Sequence, residues 1–254
     1  MIAGLFECDH VKAEYRAAHG DYADMFAQLF PELEWRFYDV CNGQFPASLD
    51  ECDVYFATGS HKSVYDQEDW IIQLQATIRA IAEQNKYFVG FCFGHQLLGE
   101  AMGGSVRKAP QGWCVGVHQF EMLKQEDWMQ PYQKEINLLM MCQDQVLELP
   151  PDATLIGRAE KCPNGILRIG EKLLGIQAHP EFSKAYDQLL LEARVDRIGA
   201  QTVNAGLESL TKEVHRETIR QWILRFIGFQ KVRSKKSIVR GDSGSHSTEI
   251  GDCI

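Results

Sequence analysis

A cysteine held between two glycines is the first place in this chain where reactive chemistry shows. In Val89-Gly90-Phe91-Cys92-Phe93-Gly94-His95-Gln96-Leu97 an apolar run with strand character meets a helical one, and Cys92 stands at the junction. A sharp strand-to-helix turn strains its central residue and brings neighbouring backbone so close that only glycine is tolerated on either side. Such a turn projects the sulfur from the carboxyl end of a sheet, where α/β proteins bind ligands. It also aims a helix N-terminus at the sulfur, which favours thiolate. A cysteine taken alone is most simply a small buried apolar residue; the flanking glycines turn the balance toward a nucleophile.

A thiol nucleophile needs a base. Ile176-Gln177-Ala178-His179-Pro180-Glu181-Phe182 offers one. In extended chain His179 and Glu181 point the same way, and Pro180 biases His179 toward extended geometry. A carboxylate beside an imidazole fixes its tautomer and stabilises its charged form, the third role in a triad. In isolation the tripeptide reads as a surface ion pair. The pairing with Cys92 is what gives it weight: the two clusters lie 179 − 92 = 87 residues apart, each at the end of a predicted strand. His95, three residues after Cys92, is the competing base and ranks second because no carboxylate is placed to orient it.

The elements that must position these groups follow from periodicity. Residues 1–8 read as an apolar strand, 22–30 as a helix stopped by Pro31, 33–40 as a strand, and 53–57 as a buried strand running into Thr58-Gly59-Ser60. Trp70, Ile71, Leu74, Ile78 and Ile81 recur at helical spacing over 69–84; 87–91 is a buried strand, and 93–102 a helix ending at Gly103-Gly104. This alternation predicts an α/β fold, a flavodoxin-like and mostly parallel central sheet with helices on both faces. Short strand-like runs then follow one another (115–123, 134–141, 154–159, 165–169 and 173–177), which predicts an antiparallel extension. Helices are expected over 183–199 and 204–227.

The chain has 254 residues, 45% hydrophobic and 24% charged, ordinary for one large globular domain, expected over 1–230. Residues 231–254 are basic and then Gly/Ser-rich, with little to bury, and are expected to be disordered. Arg240-Gly241-Asp242 and Gly241-Asp242-Ser243-Gly244 in that tail are chance resemblances to an adhesion tripeptide and a serine-protease motif, since neither has a folded shell around it. The net charge of -9 argues against nucleic acid and anionic membrane as partners. The N-terminus lacks a basic start and Glu7 interrupts its apolar run, and no stretch reaches the roughly 18 apolar residues of a membrane span. The expected location is cytoplasmic. The 8 cysteines show no CxxC pair and no finger-like spacing with histidine, so reduced thiols and no metal are expected.

At these residues the chain resembles the class I, triad-type glutamine amidotransferases, in particular stand-alone domains similar to the amidotransferase part of GMP synthase. The resemblance is carried by Gly90-x-Cys92-x-Gly94-His95-Gln96, the Gly59-Ser60 turn with Ser63-Val64-Tyr65-Asp66, Gly112-Trp113, and His179-Pro180-Glu181, in the expected order over about residues 1–230. It implies that Cys92 attacks the side-chain amide of glutamine, that His179 shuttles the proton, and that Glu181 orients His179. It further implies an oxyanion hole from the backbone N–H groups of Gly59 and Phe93, and hydrolysis of a γ-glutamyl thioester with no cofactor. Gln96 then helps to hold the substrate, or is an ordinary helix-surface amide. Gly112 and Trp113 line the glutamate side, or Trp113 is plain core. One departure stands out: relatives often carry His-x-Asp-x-Val where this chain has Cys142-Gln143-Asp144-Gln145-Val146, and Cys142 reads most simply as a buried thiol.

Ammonia in this family normally passes to an ATP-dependent synthetase, and no Walker-type loop is visible here. The expectation is a cysteine amidotransferase serving a separate synthetase chain, with a free-standing γ-glutamyl peptidase as the alternative. An α/β-hydrolase is disfavoured because the acid follows His179 by two residues instead of preceding it on its own loop. A binding protein that kept the fold and lost turnover is the reading of another class, and the intact triad argues against it.

Overall fold

A computed structural model describes residues 1–229, so the tail expected from 231 onward lies outside the described residues. The first half runs β1 (Ile2–Phe6), α1 (Ala13–His19), α2 (Tyr22–Leu29), β2 (Glu34–Tyr38), β3 (Val54–Ala57), α3 (Asp69–Glu83), β4 (Tyr87–Phe91) and α4 (Phe93–Ala101). The second half runs β5 (Ser105–Lys108), β6 (Cys114–Met122), β7 (Glu135–Cys142), β8 (Asp144–Glu148), β9 (Ala153–Ala159), β10 (Cys162–Ile169) and β11 (Leu173–Ile176). It then closes with α5 (Lys184–Ala193), α6 (Val195–Ile198), α7 (Ala200–Ser209) and α8 (Arg216–Phe226). Among the described residues no helix is long and apolar enough to cross a membrane.

Nine strands form one sheet in the order β2-β1-β3-β4-β11-β10-β9-β6-β7. The first five are parallel and the rest antiparallel, so the parallel core and its antiparallel extension are both present. In β3 the pleat sends Val54 and Phe56 to one face and Tyr55 and Ala57 to the other, and all four are fully buried. That is why β3 reads as an unbroken apolar run. On one face Phe26 and Phe30 pack with Trp35, Phe56 and Phe91 at ring separations of 5.1–6.4 Å. On the other, α3 lays Ile71, Leu74, Ile78 and Ile81 onto the sheet, the stripe its spacing required.

The sequence expectation missed four features. α1 buries none of its residues and so leaves no apolar stripe to read. β5 and β8 form a separate two-stranded antiparallel sheet. The single helix expected over 183–199 is α5 and α6, followed after Gly199, at φ +94°, by α7. The helix expected over 204–227 is interrupted between α7 and α8.

Candidate active site

Parallel pairing between β4 and β11 brings the two chemical clusters together. Phe91 stands opposite Ile176 at the end of both strands, and the Cys92 N–H donates to the Ile176 carbonyl at 3.0 Å. The chain after each strand end therefore leaves the sheet from adjacent points, and 87 residues of sequence separation collapse to neighbouring positions.

The elbow at Cys92 is strained as its glycines implied. Cys92 has φ +47° and ψ -100°, outside the region an L-residue prefers. A Cβ on Gly90 would lie 2.3 Å from the Gly94 carbonyl oxygen, and one on Gly94 would lie 2.6 Å from the Ala57 carbonyl oxygen. Cys92 caps α4 and its carbonyl accepts from Gln96 at 3.0 Å; the Phe93 N–H belongs to the first turn, where a helix supplies no internal acceptor. The Gly94 N–H is taken by the Thr58 carbonyl at 3.2 Å.

His179 closes over this elbow. Its Nδ1 pairs with Glu181 Oε1 at 2.7 Å, and its ring lies flat on Phe182 at 4.0 Å between centroids. The backbone N–H of His179 donates to the Leu139 carbonyl of β7 at 2.9 Å. Both His179 and Glu181 are buried, so the pair is no surface ion bridge. Burial works against the imidazolium, but the Cys92 sulfur and the Glu181 carboxylate outweigh it and push His179 up to about 10. Gly59 sits against the same ring: a Cβ there would lie 2.8 Å from His179 Cε1 and 3.6 Å from Cys92 Cβ. The Gly59 carbonyl is pinned by the Thr58 hydroxyl at 2.9 Å, which holds the loop in place.

His95, the competing base, is fully buried and faces away. Its Nδ1 lies 2.6 Å from where a Cβ on Gly175 of β11 would stand. Burial pushes it down to about 4, leaving it neutral in the core.

A cavity of about 140 Å³ opens beside Cys92. Gln96 and Trp113 line it, as do Cys142 and Asp144. Gln96 is buried, not on a helix surface; its Nε2 donates to the Asp144 carbonyl at 2.7 Å and to Gln177 Oε1 at 3.3 Å. Gly112, in a left-handed turn at φ +77°, stands next to the lining Trp113 but is not itself on the wall. Cys142 is a buried thiol directly opposite Cys114 in the β6/β7 register; the hydrogen bond it donates to Cys114 and its burial hold it far above the usual thiol range.

Sequence reasoning missed the cavity's cations. Lys62, Lys108, Arg194 and Arg197 line it, Lys62 paired with Glu68, against the single acid Asp144, and Arg197 lies 5.1 Å over the Trp113 ring. No local spacing marks them. It also missed Asp187, fully buried on α5 with neither carboxylate oxygen hydrogen-bonded. Here a signal existed: Asp187 falls inside the apolar stripe Tyr186, Leu190, Leu191.

Comparison with known proteins gives the family and the fold. The family model for glutamine amidotransferase class-I matches residues 51–196. Gamma-glutamyl peptidase 5 of Arabidopsis thaliana is 32% identical over 194 residues, 72% of this chain and 75% of that protein. A subunit of the glutamine-hydrolyzing GMP synthase of Pyrococcus abyssi is 30% identical over 100 residues, 39% of this chain and 53% of that protein. The crystal structure of a glutamine amidotransferase from Thermotoga maritima superposes with a TM-score of 0.72 at 22% identity, covering 89% of this chain and 98% of the other, a likeness of fold. The chain belongs to the class-I glutamine amidotransferase family.

Proposed function

We propose that this protein is a cysteine amidohydrolase that opens a γ-glutamyl amide, with Cys92 as nucleophile, His179 as acid and base, and Glu181 as the group that orients His179. The observation that carries this reading is the buried His179–Glu181 pair at 2.7 Å, seated over a strained Cys92 elbow.

Cys92 Sγ adds to the amide carbon, and the carbonyl oxygen gathers negative charge. The N–H groups of Phe93 and Gly59 are the donors we assign to that oxygen; one such donor is typically worth about 3 kcal/mol. His179, which keeps its proton through neutral pH, gives it to the leaving nitrogen as the C–N bond breaks. Ammonia or an amine departs and the γ-glutamyl thioester remains. Water then adds to that carbon while His179 takes its proton. The C–S bond breaks, glutamate leaves, and the starting pair, sulfur without its proton beside a protonated His179, is restored. The cationic lining of the cavity suits the α-carboxylate of the glutamyl group, and Gln96 keeps the wall beside Cys92 in register with Asp144.

Two acceptors of the γ-glutamyl chemistry fit. Ammonia delivered to a separate ATP-dependent synthetase is supported by the likeness to the GMP synthase of Pyrococcus abyssi. A γ-glutamyl peptidase is supported by relatives in Arabidopsis thaliana at 32% and 31% identity over 72% of this chain.

The test is direct. Purified protein is expected to release ammonia from L-glutamine and to form one covalent adduct, at Cys92, with a glutamine-like diazo-ketone. Cys92→Ala is expected to do neither. A Cys92→Ala protein with full activity would sink the assignment, and an intact protein inert toward every γ-glutamyl amide would leave a binding protein instead.

A further inference from the structure

A second cavity shares a wall with the first. It is a groove of about 1080 Å³ between the β6/β9 surface and α7, and Trp113 lines both it and the Cys92 cavity. The two differ sharply in size. The Cys92 cavity suits one glutamyl group, whereas the groove is at the upper end of the roughly 300–1,000 Å³ that hold drug-sized ligands. Ammonia, a single heavy atom, needs no such space; a peptide does.

The groove wall carries charges of both signs in separate places. Glu121 pairs with Arg158 at 3.0 Å, and Glu135 keeps its charge while accepting from the neutral Gln119 at 2.6 Å. The exposed ammonium groups of Lys161 and Lys212 face the groove alongside one further acid, Glu160. The floor is rigid, because α7 presses on β6 where a Cβ at Gly116 would lie 2.3 Å from Ser209 Oγ, and the Val117 N–H donates to that same oxygen at 2.8 Å.

We infer that this groove is the leaving-group site: it receives the amine half of a γ-glutamyl peptide, with the peptide's terminal carboxylate toward Lys161 and Lys212 and the scissile amide at Cys92. The inference rests on the amidohydrolase reading above and adds the substrate class, a peptide in place of free glutamine. The glutamyl group fills the small cavity, the chain passes Trp113, and the released peptide leaves along α7.

The experiment measures kcat/KM of the full-length protein on three substrates: L-glutamine, γ-glutamylalanylglycine, and the same tripeptide with its C-terminus amidated. Three proteins are compared: the unaltered chain, the double variant Lys161→Glu/Lys212→Glu, and Ala205→Trp, which places a large side chain in the groove from an exposed position on α7. The unaltered chain is expected to prefer the carboxylate tripeptide to glutamine. The double variant should lose about tenfold on the carboxylate tripeptide, a change of about 1.4 kcal/mol, with less loss on the amidated one and none on glutamine. Ala205→Trp should suppress both tripeptides and spare glutamine. Glutamine turnover with no tripeptide cleavage, or a tripeptide-to-glutamine ratio that none of the variants changes, overturns the groove assignment while the catalytic reading stands. Failure on all three substrates by the unaltered chain removes the catalytic reading, and the groove assignment falls with it.

Discussion

His179 is the residue on which the reading turns, and its environment sets a pH signature. Its carboxylate partner is one of the forces that raise it to about 10 against the pull of burial. Removing that charge lowers it. Glu181→Gln keeps the shape and loses the charge, so the alkaline limb of the kcat/KM profile should move to lower pH, and kcat should fall by about 10²–10⁴-fold, the usual worth of a positioned acid–base group. A pH–rate profile of the two proteins on glutamine checks both. The same shift has a stability consequence with a definite sign. A histidine raised in the folded state adds stability that is complete below its unfolded value of about 6.5 and is lost as pH climbs through about 10. Asp187 differs in cause, burial in place of a charged partner, and its effect has the same sign over a lower pH range. Burial raises its carboxyl to about 7, so the folded state holds a proton that the unfolded chain has released, and stability falls as pH rises between about 4 and 7. Asp187→Asn removes that penalty. Melting curves should coincide near pH 4 and separate in favour of the variant by pH 8; equal melting at both would show that Asp187 is not held as described.

At the scale of elements, the strand–elbow–helix unit was legible because its requirements are steric and local. Gly90 and Gly94 stand where side chains would meet carbonyl oxygens at 2.3 and 2.6 Å, and no other residue type satisfies that. Gly90→Ala should cost about 1–3 kcal/mol or more, as overpacking does, and lower the melting temperature by several degrees in a calorimetric scan; an unchanged transition would mean that the turn relaxes freely. The strands of the parallel core were legible for a similar reason, since burial on both faces leaves an unbroken apolar run. Elements that bury little were not. α1 hides no residue, and β5, Ser-Val-Arg-Lys, buries only Val106. The long helical region after Phe182 read as two pieces and is four, since Arg194 and the 210–215 turn break it further without changing its average composition. The cavity cations were illegible on principle: Lys62, Lys108 and the Arg194–Arg197 turn of α6 become neighbours only when separate elements dock.

For the molecule as a whole, the thiols report how well the core excludes reagent. Among the described residues seven cysteines are free; Cys41 is half-buried and the other six are buried. Of those six only Cys92 and Cys142 border the small cavity. Burial and Asp39 push Cys41 up to about 12, which leaves it a poor nucleophile at neutral pH. Brief treatment of the folded protein with iodoacetamide should therefore alkylate Cys92 ahead of Cys41, Cys8, Cys52, Cys114, Cys142 and Cys162, as read by peptide mapping. Cys8 or Cys162 reacting as fast would mean a looser core than the one seen. The bond from the His179 N–H to the Leu139 carbonyl has a wider consequence. It ties the backbone that carries the proposed acid–base imidazole to β7, the last strand at the far margin of the sheet, remote in connectivity from the strand that leads into the Cys92 elbow. Marginal strands fray before central ones. In dilute urea the reaction should therefore stop while circular dichroism still records an intact core, and turnover becomes a gauge of whether the sheet's outermost seam is shut.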